Sequence, residues 1–595
     1  SHDHGKTWIF YDNLSVAQFY AASADMREPY YVYGGLQDNG TWGGPSMSRE
    51  GEILTDFWYN VGGGDGFHTQ NDPTDWRTVY SESQGGSISR WNVETRESKS
   101  IRPNQANIAN YKDYFPAAPA QPAVKPDPSN PEAMRQASQR MRGPFRFNWS
   151  SPIFLSPHNP HTIYFGGNHL FKSTNRGDAW MLVSPDLTTN NPEKNKPTGG
   201  ITDDTTGAET HCTIISISES PIRPGLLWVG TDDGNVQVSK NDGVTWTNVR
   251  PNIKGVPPEI WCSRVEASHF DEGTAFATFD GHRSDDFHVY VFKTTDFGKT
   301  WMPITAGIPD GQPVYVIRED PKNKNLLFLG TEFGVFVSRN GGQNWSELSL
   351  NMPTVAVHDL FIHPRENDLI AATHGRGIWI MDDITALRQA TDKVTAQDFA
   401  LLDPGRAGVK WLSIRRGGYG RGNLYFAGEN PPYGAMLHVY FMAKPEKPAT
   451  LEISDPTGTQ KTVYLLDDIE PGITRLLWDF AWDPPEATIQ TAASSLKTQL
   501  DNAAKSTELT ADQKSVISDA LKDLEKAAGN YRKINDIRQK VMPLLGRGMY
   551  FGGGRRGFGG LSAVAGTYTV KLTVGDKTVS GKVTVRLDPL QSEQR

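Results

Sequence analysis

The octet SKNDGVTW, residues 239–246, is one of five copies of a single pattern in this 595-residue sequence. The other copies are SHDHGKTW (1–8), STNRGDAW (173–180), TTDFGKTW (294–301) and SRNGGQNW (338–345). Each has Ser or Thr first, Asp or Asn third, Gly fifth and Trp eighth, and the third positions are Asp3, Asn175, Asn241, Asp296 and Asn340. A side-chain oxygen that accepts bonds from nearby backbone N–H groups, followed by a Gly with positive φ, is the chemistry of a hairpin turn. Five copies indicate a repeat protein in which these residues hold turns.

Strand-like stretches recur between the octets. Seven apolar runs that end in small residues and a polar turn, such as TIYFGGNHL from Thr162 and LLFLGTEFG from Leu326, each follow another strand-like stretch, and most of those alternate apolar residues. These sets predict a seven-bladed β-propeller over residues 1–385. The last blade lacks a fourth strand of its own, and KTWIFYD (6–12) is predicted to supply it and close the ring. A second explanation, compatible with the first, places Ser1 inside a longer protein that has an upstream propeller.

A different pattern begins near residue 400. Residues 386–402 are interpreted as a linker, and residues 403–487 as the first part of an Ig-like β-sandwich. Residues 546–595 are predicted to complete that sandwich after a loop rich in Gly and Arg. Residues 488–545 show helical periodicity and predict an inserted helical hairpin. The fold class is therefore all-β, a seven-bladed propeller followed by a sandwich that carries the inserted helices.

The octet is similar to the Asp-box, or BNR repeat, of bacterial sialidases, xyloglucanase-type glycosidases and sortilin-type receptors. Longer stretches, among them GLQDNGTW, GGGDGF, WVGTDDGNVQVS and THGRGIWIMDD, resemble secreted bacterial proteins described as sortilin-like or BNR-repeat glycosyl hydrolase-like. The resemblance implies a propeller fold, boxes that are structural, and a secreted, periplasmic or cell-surface location. It supports the fold far more than an activity.

Polar residues are concentrated where a propeller would place its channel and channel mouth. Polar groups that converge on a concave surface are the usual ligand site. The carboxylates that could supply a catalytic pair are Asp38, Asp65, Asp232, Asp280 and Glu332. The side chains expected to contact a ligand are His68, Arg146, His211, Arg264, His282, Arg283, His374 and Arg376. The alternative is a satisfied polar network around a water-filled shaft.

Two functions fit these residues. In the first, an extracellular propeller scaffold captures a glycan, a peptide or a partner subunit at the channel mouth, and the sandwich or the helices dock a neighbouring subunit. In the second, an Asp-box glycoside hydrolase of sialidase-like or xyloglucanase-like type cleaves with paired carboxylates at the same face. Because no sialidase signature is present, binding is the favoured hypothesis.

Composition narrows the remaining classes. A formal net charge of -8 gives no reason to expect a nucleic-acid partner, and no apolar run is long enough for a transmembrane helix. No cofactor motif or zinc-type spacing is present, although DGHRSDD (280–286) leaves a structural Ca²⁺ open. Cys212 and Cys262 are predicted either to pair or to remain buried free thiols.

Overall fold

The computed structural model describes residues 1–11, 13–116, 144–195, 210–414, 425–527, 529–545 and 561–592. The chain is mostly β, with many four-stranded antiparallel sheets. It divides into two compact units, Ser1–Ile384 with Ile414–Asn430 and Thr385–Ser413 with Pro431–Arg595. The Gly- and Arg-rich loop expected at the start of the segment 546–595 lies outside the described residues up to position 560.

Among its described residues the first unit contains seven antiparallel sheets of three or four strands, which follow one another in chain order. The first sheet contains β1 (Ser23–Ala24), β2 (Tyr31–Leu36), β3 (Gly40–Pro45) and β5 (Tyr59–Gly62), and β4 (Glu52–Leu54) lies outside it. The second contains β6 (Gly66–Asn71), β7 (Thr78–Ser83), β8 (Ser87–Asn92) and β9 (Glu97–Ser100). The third contains β10 (Ile153–Leu155), β11 (Ile163–Gly166), β12 (Leu170–Ser173) and β13 (Met181–Leu182). The helical pieces within this part of the chain are short: α1 (Tyr111–Tyr114) and the 3-10 turns Thr55–Phe57, Arg250–Asn252 and His282–Ser284.

The fourth to seventh sheets repeat the arrangement, and the last has three strands. The fourth sheet contains β14 (Ile214–Glu219), β15 (Leu227–Thr231), β16 (Val236–Ser239) and β17 (Thr247–Asn248), and the fifth contains β18 (Trp261–Ala267), β19 (Ala275–Asp280), β20 (Tyr290–Thr294) and β21 (Met302–Pro303). The sixth contains β22 (Val314–Glu319), β23 (Leu327–Thr331), β24 (Gly334–Ser338) and β25 (Ser346–Glu347). The seventh contains β26 (Val357–Ile362), β27 (Leu369–Thr373) and β28 (Ile378–Met381).

Neighbouring sheets share their hydrophobic cores, and the first sheet packs against the last. Phe19 and Ala22 lie in one buried cluster with Ile370 of β27. Polar bonds join the same two sheets, because the Tyr30 hydroxyl donates to Asp368 Oδ2 at 2.8 Å. The seven sheets therefore close on themselves through contacts between residues more than 330 positions apart.

The five octets form the same turn. In each, the first hydroxyl accepts a bond from the fifth residue's N–H at 2.8 to 3.0 Å. The side-chain oxygen of the third residue accepts from the seventh N–H at 2.9 or 3.0 Å. Trp180 and Trp345 pack between sheets and are 0% and 5% exposed. The indole Nε1 of each donates to a backbone carbonyl at the end of the preceding sheet, at 2.7 Å. These residues stabilise the fold.

The pairing predicted for KTWIFYD (6–12) is not formed by its described residues. Trp8 and Phe10 are 80% and 88% exposed, and the last sheet ends at β28. The turn of the first octet is complete, but no apolar surface covers the residues that follow it. The first and last sheets join instead through residues 17–19, where the Phe19 N–H donates to the Thr373 carbonyl at 3.0 Å.

The second unit begins at Thr385, and the segment predicted as a linker is structured. It forms α2 (Thr385–Gln389), α3 (Asp392–Thr395) and β29 (Phe399–Leu402). The later strands are β30 (Gly408–Lys410), β31 (Ala427–Glu429), β32 (Ala435–Phe441), β33 (Ala449–Ser454), β34 (Lys461–Leu465), β35 (Gly472–Trp478), β36 (Gly566–Val574) and β37 (Lys577–Leu587). β31 belongs to the first unit and pairs with β4, so the described residues 425–430 of the segment predicted as sandwich return to that unit.

Two sheets of the second unit enclose one core. Their strand orders are β29-β32-β35 and β30-β37-β36-β33-β34. Trp478 of β35 is fully buried in a cluster with Leu451 of β33 and Leu572 of β36. Alternating apolar residues on each strand supply this shared core.

The helical insertion has three helices where a hairpin of two was predicted. They are α4 (Glu486–Ala504), α5 (Ala511–Lys526) and α6 (Tyr531–Val541), and α7 (Pro589–Ser592) follows the last strand. A capping box at Thr510 and Gln513 starts α5, and the Asn530 side chain caps α6. Leu500, Ile517 and Ile534, one from each helix, meet in a common core. No helix within the described ranges is both long and apolar enough to cross a membrane.

Candidate functional site

Aromatic and imidazole rings from four sheets of the first unit meet in one group, which we call the ring cluster: Tyr20, Phe67, Tyr315, His358 and His374. The Tyr20 ring lies 4.6 Å from Phe67 and 4.8 Å from His374, measured between centroids. His374 stacks on His358 at 4.3 Å with an interplanar angle of 8°, and His358 lies 4.4 Å from Tyr315. The rings therefore form a continuous arc.

Rings of two further sheets extend the arc at both ends. The Trp149 ring, just before β10, lies 6.5 Å from Phe67, and the His282 ring lies 5.9 Å from Tyr315. Trp149, Phe67, Tyr315, His358 and His282 are each partly or fully shielded by neighbouring side chains. Six of the seven sheets thus contribute a ring to one surface.

The two stacked histidines are neutral near pH 7. Burial lowers the pKa of His358 well below its usual value, and the neighbouring His374 and Arg283 lower it further. Burial also lowers the pKa of His374, although its bond to the Phe19 carbonyl opposes the shift. His358 stays partly exposed, and within the described part of the chain its ring nitrogens make no hydrogen bond. This imidazole therefore keeps one donor and one acceptor for a ligand.

Three carboxylates surround the ring cluster, and we call them the rim carboxylates: Asp38, Asp65 and Glu332. Asp65 Oδ1 accepts from the Asp38 N–H at 2.6 Å, and Glu332 Oε2 accepts from the Tyr315 hydroxyl at 2.5 Å. Both aspartates contribute to raising the pKa of Tyr20, behind burial, which places their negative charge near that ring. Across the described residues none of the three makes an ion pair.

Asp280 differs from the rim carboxylates because its charge is compensated. It is buried, and it contacts His282 Nδ1 at 2.7 Å and the Arg283 guanidinium at 3.0 Å. Arg283 in turn stacks on the Trp261 ring at 3.9 Å. The group holds the turn after β19 and positions the His282 ring.

Below the rings lies a charge-balanced network. Asp359 Oδ1 accepts from Arg264 at 3.0 Å and from Arg318 at 2.9 Å, and Arg318 also bonds Glu266 at 2.9 Å. Two cations thus face two anions. Burial, and then the charge of Arg264, lowers the pKa of His68 to about 4, so this imidazole is neutral as well. The network resembles the paired polar arrangement that the sequence left open as an alternative, although Arg264 Nε is buried without a hydrogen-bond partner among the described residues.

Three other predicted site residues, Arg146, His211 and Asp232, lie apart from the ring cluster. Arg146 bonds Asp186 at 2.7 Å, and burial lowers the pKa of His211. Asp232 is fully buried, where it accepts bonds from the Thr213 N–H at 2.8 Å and from the Asn148 side chain at 3.1 Å.

Burial raises the pKa of Asp232 to about 7. Its oxygens serve neighbouring backbone and side chains, so it is a structural carboxyl. Arg376 is exposed, and its side chain contacts only the Gly375 carbonyl among the described groups, at 3.5 Å.

Four members of the ring cluster were missed as site residues from the sequence: Tyr20, Phe67, Tyr315 and His358. A signal was present, because Tyr20, Phe67 and Tyr315 each stand five residues before an Asp that ends the strand-like stretch. Those residues, Asp25, Asp72 and Asp320, close matching turns with backbone bonds of 2.9 or 3.0 Å. Aligning the inner strands on them would have placed the rings at one level.

The described side chains bear on two expectations from the sequence, a bound metal ion and a disulfide bond. No group of three or more His, Cys, Asp or Glu residues in the described ranges is placed to hold a metal ion, DGHRSDD (280–286) included. Cys212 and Cys262 are both buried free thiols, so they do not pair. Burial raises the pKa of Cys262 to about 12 and that of Cys212 to about 11, which makes both unreactive.

An open cleft of about 600 Å³ lies away from the ring cluster, between the second and third sheets. Its charged lining is largely paired, since Asp178 bonds Lys99 at 2.7 Å and Arg90 at 3.2 Å. Its lining includes Asn175, which is the third residue of the octet 173–180. The cleft therefore lies on the side of the sheets that holds the octet turns. The ring cluster is therefore the stronger candidate site.

Comparisons with known proteins give similarity in structure only. No family model matches the chain, and no curated protein matches it. The GH74 xyloglucanase from Xanthomonas campestris is 15% identical over 64% of this chain and 54% of its own length, with a TM-score of 0.43. This chain therefore corresponds to about half of that enzyme.

Two further similar structures are not described as hydrolases. PorZ, a surface component of the type-IX secretion system of Porphyromonas gingivalis, is 11% identical over 98% of this chain and 61% of its own, with a TM-score of 0.39. YCF48 from Cyanidioschyzon merolae is 9% identical over 62% of this chain and 95% of its own, with a TM-score of 0.37. These three are β-propeller proteins. At these TM-scores the similarities carry no argument about activity or ligands.

Proposed function

We propose that the first unit is a seven-bladed β-propeller, that the two-sheet core of the second unit is an Ig-like sandwich, and that the protein is an extracellular scaffold. Its ligand site is the ring cluster, at the mouth of the propeller channel. The ligand is a glycan, a peptide or a partner subunit. The sandwich and its helices are the second docking module of the same proposal.

The observation that supports binding is the convergence of unlike rings with spare hydrogen-bonding capacity. The octet turns repeat one residue pattern and satisfy it internally, whereas the matching level of four sheets holds Tyr20, Phe67, Tyr315 and His358, two tyrosines beside a Phe and a His. Polar groups converging with aromatic rings on a concave surface are typical of ligand sites. Catalysis by Asp232 or Asp280 has less support, because both carboxyls are buried and engaged by neighbours.

The test is a binding screen of the purified protein against glycan arrays and peptide libraries, with His358→Ala as the site variant. Asn241→Ala serves as a control in an octet turn. We expect a ligand whose binding His358→Ala weakens at least tenfold and Asn241→Ala leaves unchanged. Binding that is insensitive to His358→Ala would place the ligand elsewhere and refute the proposal.

The rim carboxylates favour a second candidate, an Asp-box glycoside hydrolase. Asp38, Asp65 and Glu332 are partly or fully exposed and without ion pairs in the described chain, as a catalytic pair requires. A hydrolysis screen on xyloglucan, other β-glucans and sialosides tests it. Turnover that Asp65→Asn or Glu332→Gln abolishes, in protein that remains folded, would make the protein an enzyme.

A further inference from the structure

We propose that the ring cluster receives a cationic side chain, the lysine or arginine of a protein segment, with its charge held by the rim carboxylates. The inference rests on the proposed binding function and assigns the chemical class of its ligand. It selects a basic peptide among the glycan, peptide and subunit that the proposed function allows.

The ring cluster offers π-faces rather than charge. Tyr20, Tyr315 and the stacked pair His358 and His374 present electron-rich faces within about one side-chain width of each other, at centroid distances of 4.3 to 5.9 Å. Cations bind over such faces when the centroid lies within about 6 Å. Because both imidazoles are neutral, they do not repel the incoming charge.

The uncompensated charge around the rings is negative. The rim carboxylates Asp38, Asp65 and Glu332 make no ion pair with the described residues, while Asp280 is neutralised by Arg283. Arg376 is the cation on this side without an anionic partner in the described chain. Three free carboxylates against one free guanidinium leave a surplus that attracts a cation.

The surroundings also limit how deep a cation can go. The network of Arg264, Arg318, Asp359 and Glu266 is balanced in charge, and it adjoins the ring cluster because Asp359 directly follows His358 on β26. A second cation would gain nothing there, so the head group stays between the rings and the rim. A long flexible side chain reaches this position while its backbone remains outside, which favours a protein segment over a compact cation.

Unused hydrogen-bonding atoms in the ring cluster and on its rim also favour a cationic side chain. The ring nitrogens of His358 are unbonded within the described residues, and an ammonium or guanidinium N–H can donate to the acceptor nitrogen. Glu332 has one oxygen bonded to Tyr315 and the other without a hydrogen bond to the described residues, so it can accept a second charge-assisted bond.

Calorimetry with blocked peptides tests the proposal. The probes are acetyl-GGKRGG-amide and acetyl-GGQQGG-amide, titrated into the full chain at 50 and 500 mM NaCl. We expect the basic peptide to bind at least tenfold tighter than the neutral one at low salt, and to weaken severalfold at high salt. Equal affinities for the two peptides overturn the proposal.

Two double variants test whether the rim carboxylates supply the negative charge that attracts the basic peptide. Asp65→Asn with Glu332→Gln removes two negative charges, leaves one acceptor oxygen on each side chain, and should weaken binding of the basic peptide about tenfold. Glu94→Gln with Glu97→Gln removes two exposed carboxylates near the β8–β9 turn and should change its affinity less than twofold. If the two double variants weaken binding equally, the attraction is general and the assignment to the rim is wrong.

The failures of the two proposals are distinguishable. A neutral ligand from the glycan or peptide screen whose binding His358→Ala abolishes, with no preference for the basic peptide, would keep the proposed site and refute the cation. Insensitivity of every ligand to His358→Ala would refute both.

Discussion

The octet turns and the ring cluster are built by the same sheets, yet they use sequence in opposite ways. The octets repeat one solution: Asn175, Asn241 and Asp296 accept the same backbone bond within 0.1 Å. The ring cluster draws Tyr, Phe and His from matching positions of four sheets and leaves hydrogen-bonding groups unused. Repetition maintains the fold, and departure from repetition creates the site.

The largest expected effect is the loss of a buried octet Trp. Trp180→Ala removes a fully buried ring and its bond to the Ile101 carbonyl, and should lower the free energy of unfolding by about 3–5 kcal/mol. Trp8→Ala is the matched control, because Trp8 is 80% exposed, and its effect should be below about 0.5 kcal/mol. Thermal and urea unfolding measure both. Equal losses would show that residues 8–11 are packed after all.

The buried carboxyl of Asp232, which belongs to the fold and not to the ring cluster, predicts that the free energy of unfolding depends on pH. Its folded pKa of about 7 exceeds the ordinary value of 3.8, so the folded state holds a proton that the unfolded chain releases between these values. Stability from this group is therefore present below pH 4 and is lost as pH rises to 7, on the order of 3–4 kcal/mol in total.

Asp232→Asn cannot titrate, which provides the measurement. The variant should be less stable than the wild type at pH 4.5, because its amide cannot accept all the bonds that Asp232 accepts. The difference in Tm should narrow by pH 7.5. A difference that is constant over this range would contradict the raised pKa.

A smaller effect separates two copies of the same turn. Asn175→Ala removes the exposed side-chain oxygen that accepts from the Ala179 N–H, in a turn whose Ser173 and Gly177 are buried, and should cost about 1–2 kcal/mol. Asp3→Ala removes the equivalent bond to the Thr7 N–H in an exposed turn and should cost less than about 0.5 kcal/mol. Chemical denaturation compares them. A large cost at Asp3 would mean that the first octet supports the fold.

Only a small change in stability is expected at the site. His358→Ala removes a partly exposed ring without hydrogen bonds to the described residues, and should cost less than about 1 kcal/mol. The same variant should show the largest loss of ligand. A cost comparable to Trp180→Ala would identify the ring cluster as core packing and would remove the main support for a binding site.

Local signals in the sequence predicted local structure well. The octets, the alternating strands and the capping box at Thr510 depend on neighbours within a few residues, and the structure contains all three. The sequence grouped Asp38, Asp65 and Glu332 with Asp232 and Asp280 as candidate carboxylates, and a catalytic role for any of the five stays a prediction. Side chains whose partners lie far along the chain were predicted less well.

The errors have a common physical cause. Asp232 was expected at the channel mouth, but Thr213 and Asn148 draw it into a buried cluster. His358 was overlooked because its partner His374 is in the next strand and its partner Tyr315 is in another sheet. The linker was misjudged because Ala400 and Leu402 find their core only once distant strands have formed. Each outcome depends on contacts that spacing along the chain does not encode.

The bond between Tyr30 and Asp368 has a consequence for biosynthesis. The first sheet emerges from the ribosome long before its last neighbour, and at roughly 5–20 residues per second the delay is about 20–70 s. During that interval Phe19 and Ala22 lack the apolar surface of β27 that finally covers them. A chain released before residue 373 would therefore expose an apolar face that can associate with other chains.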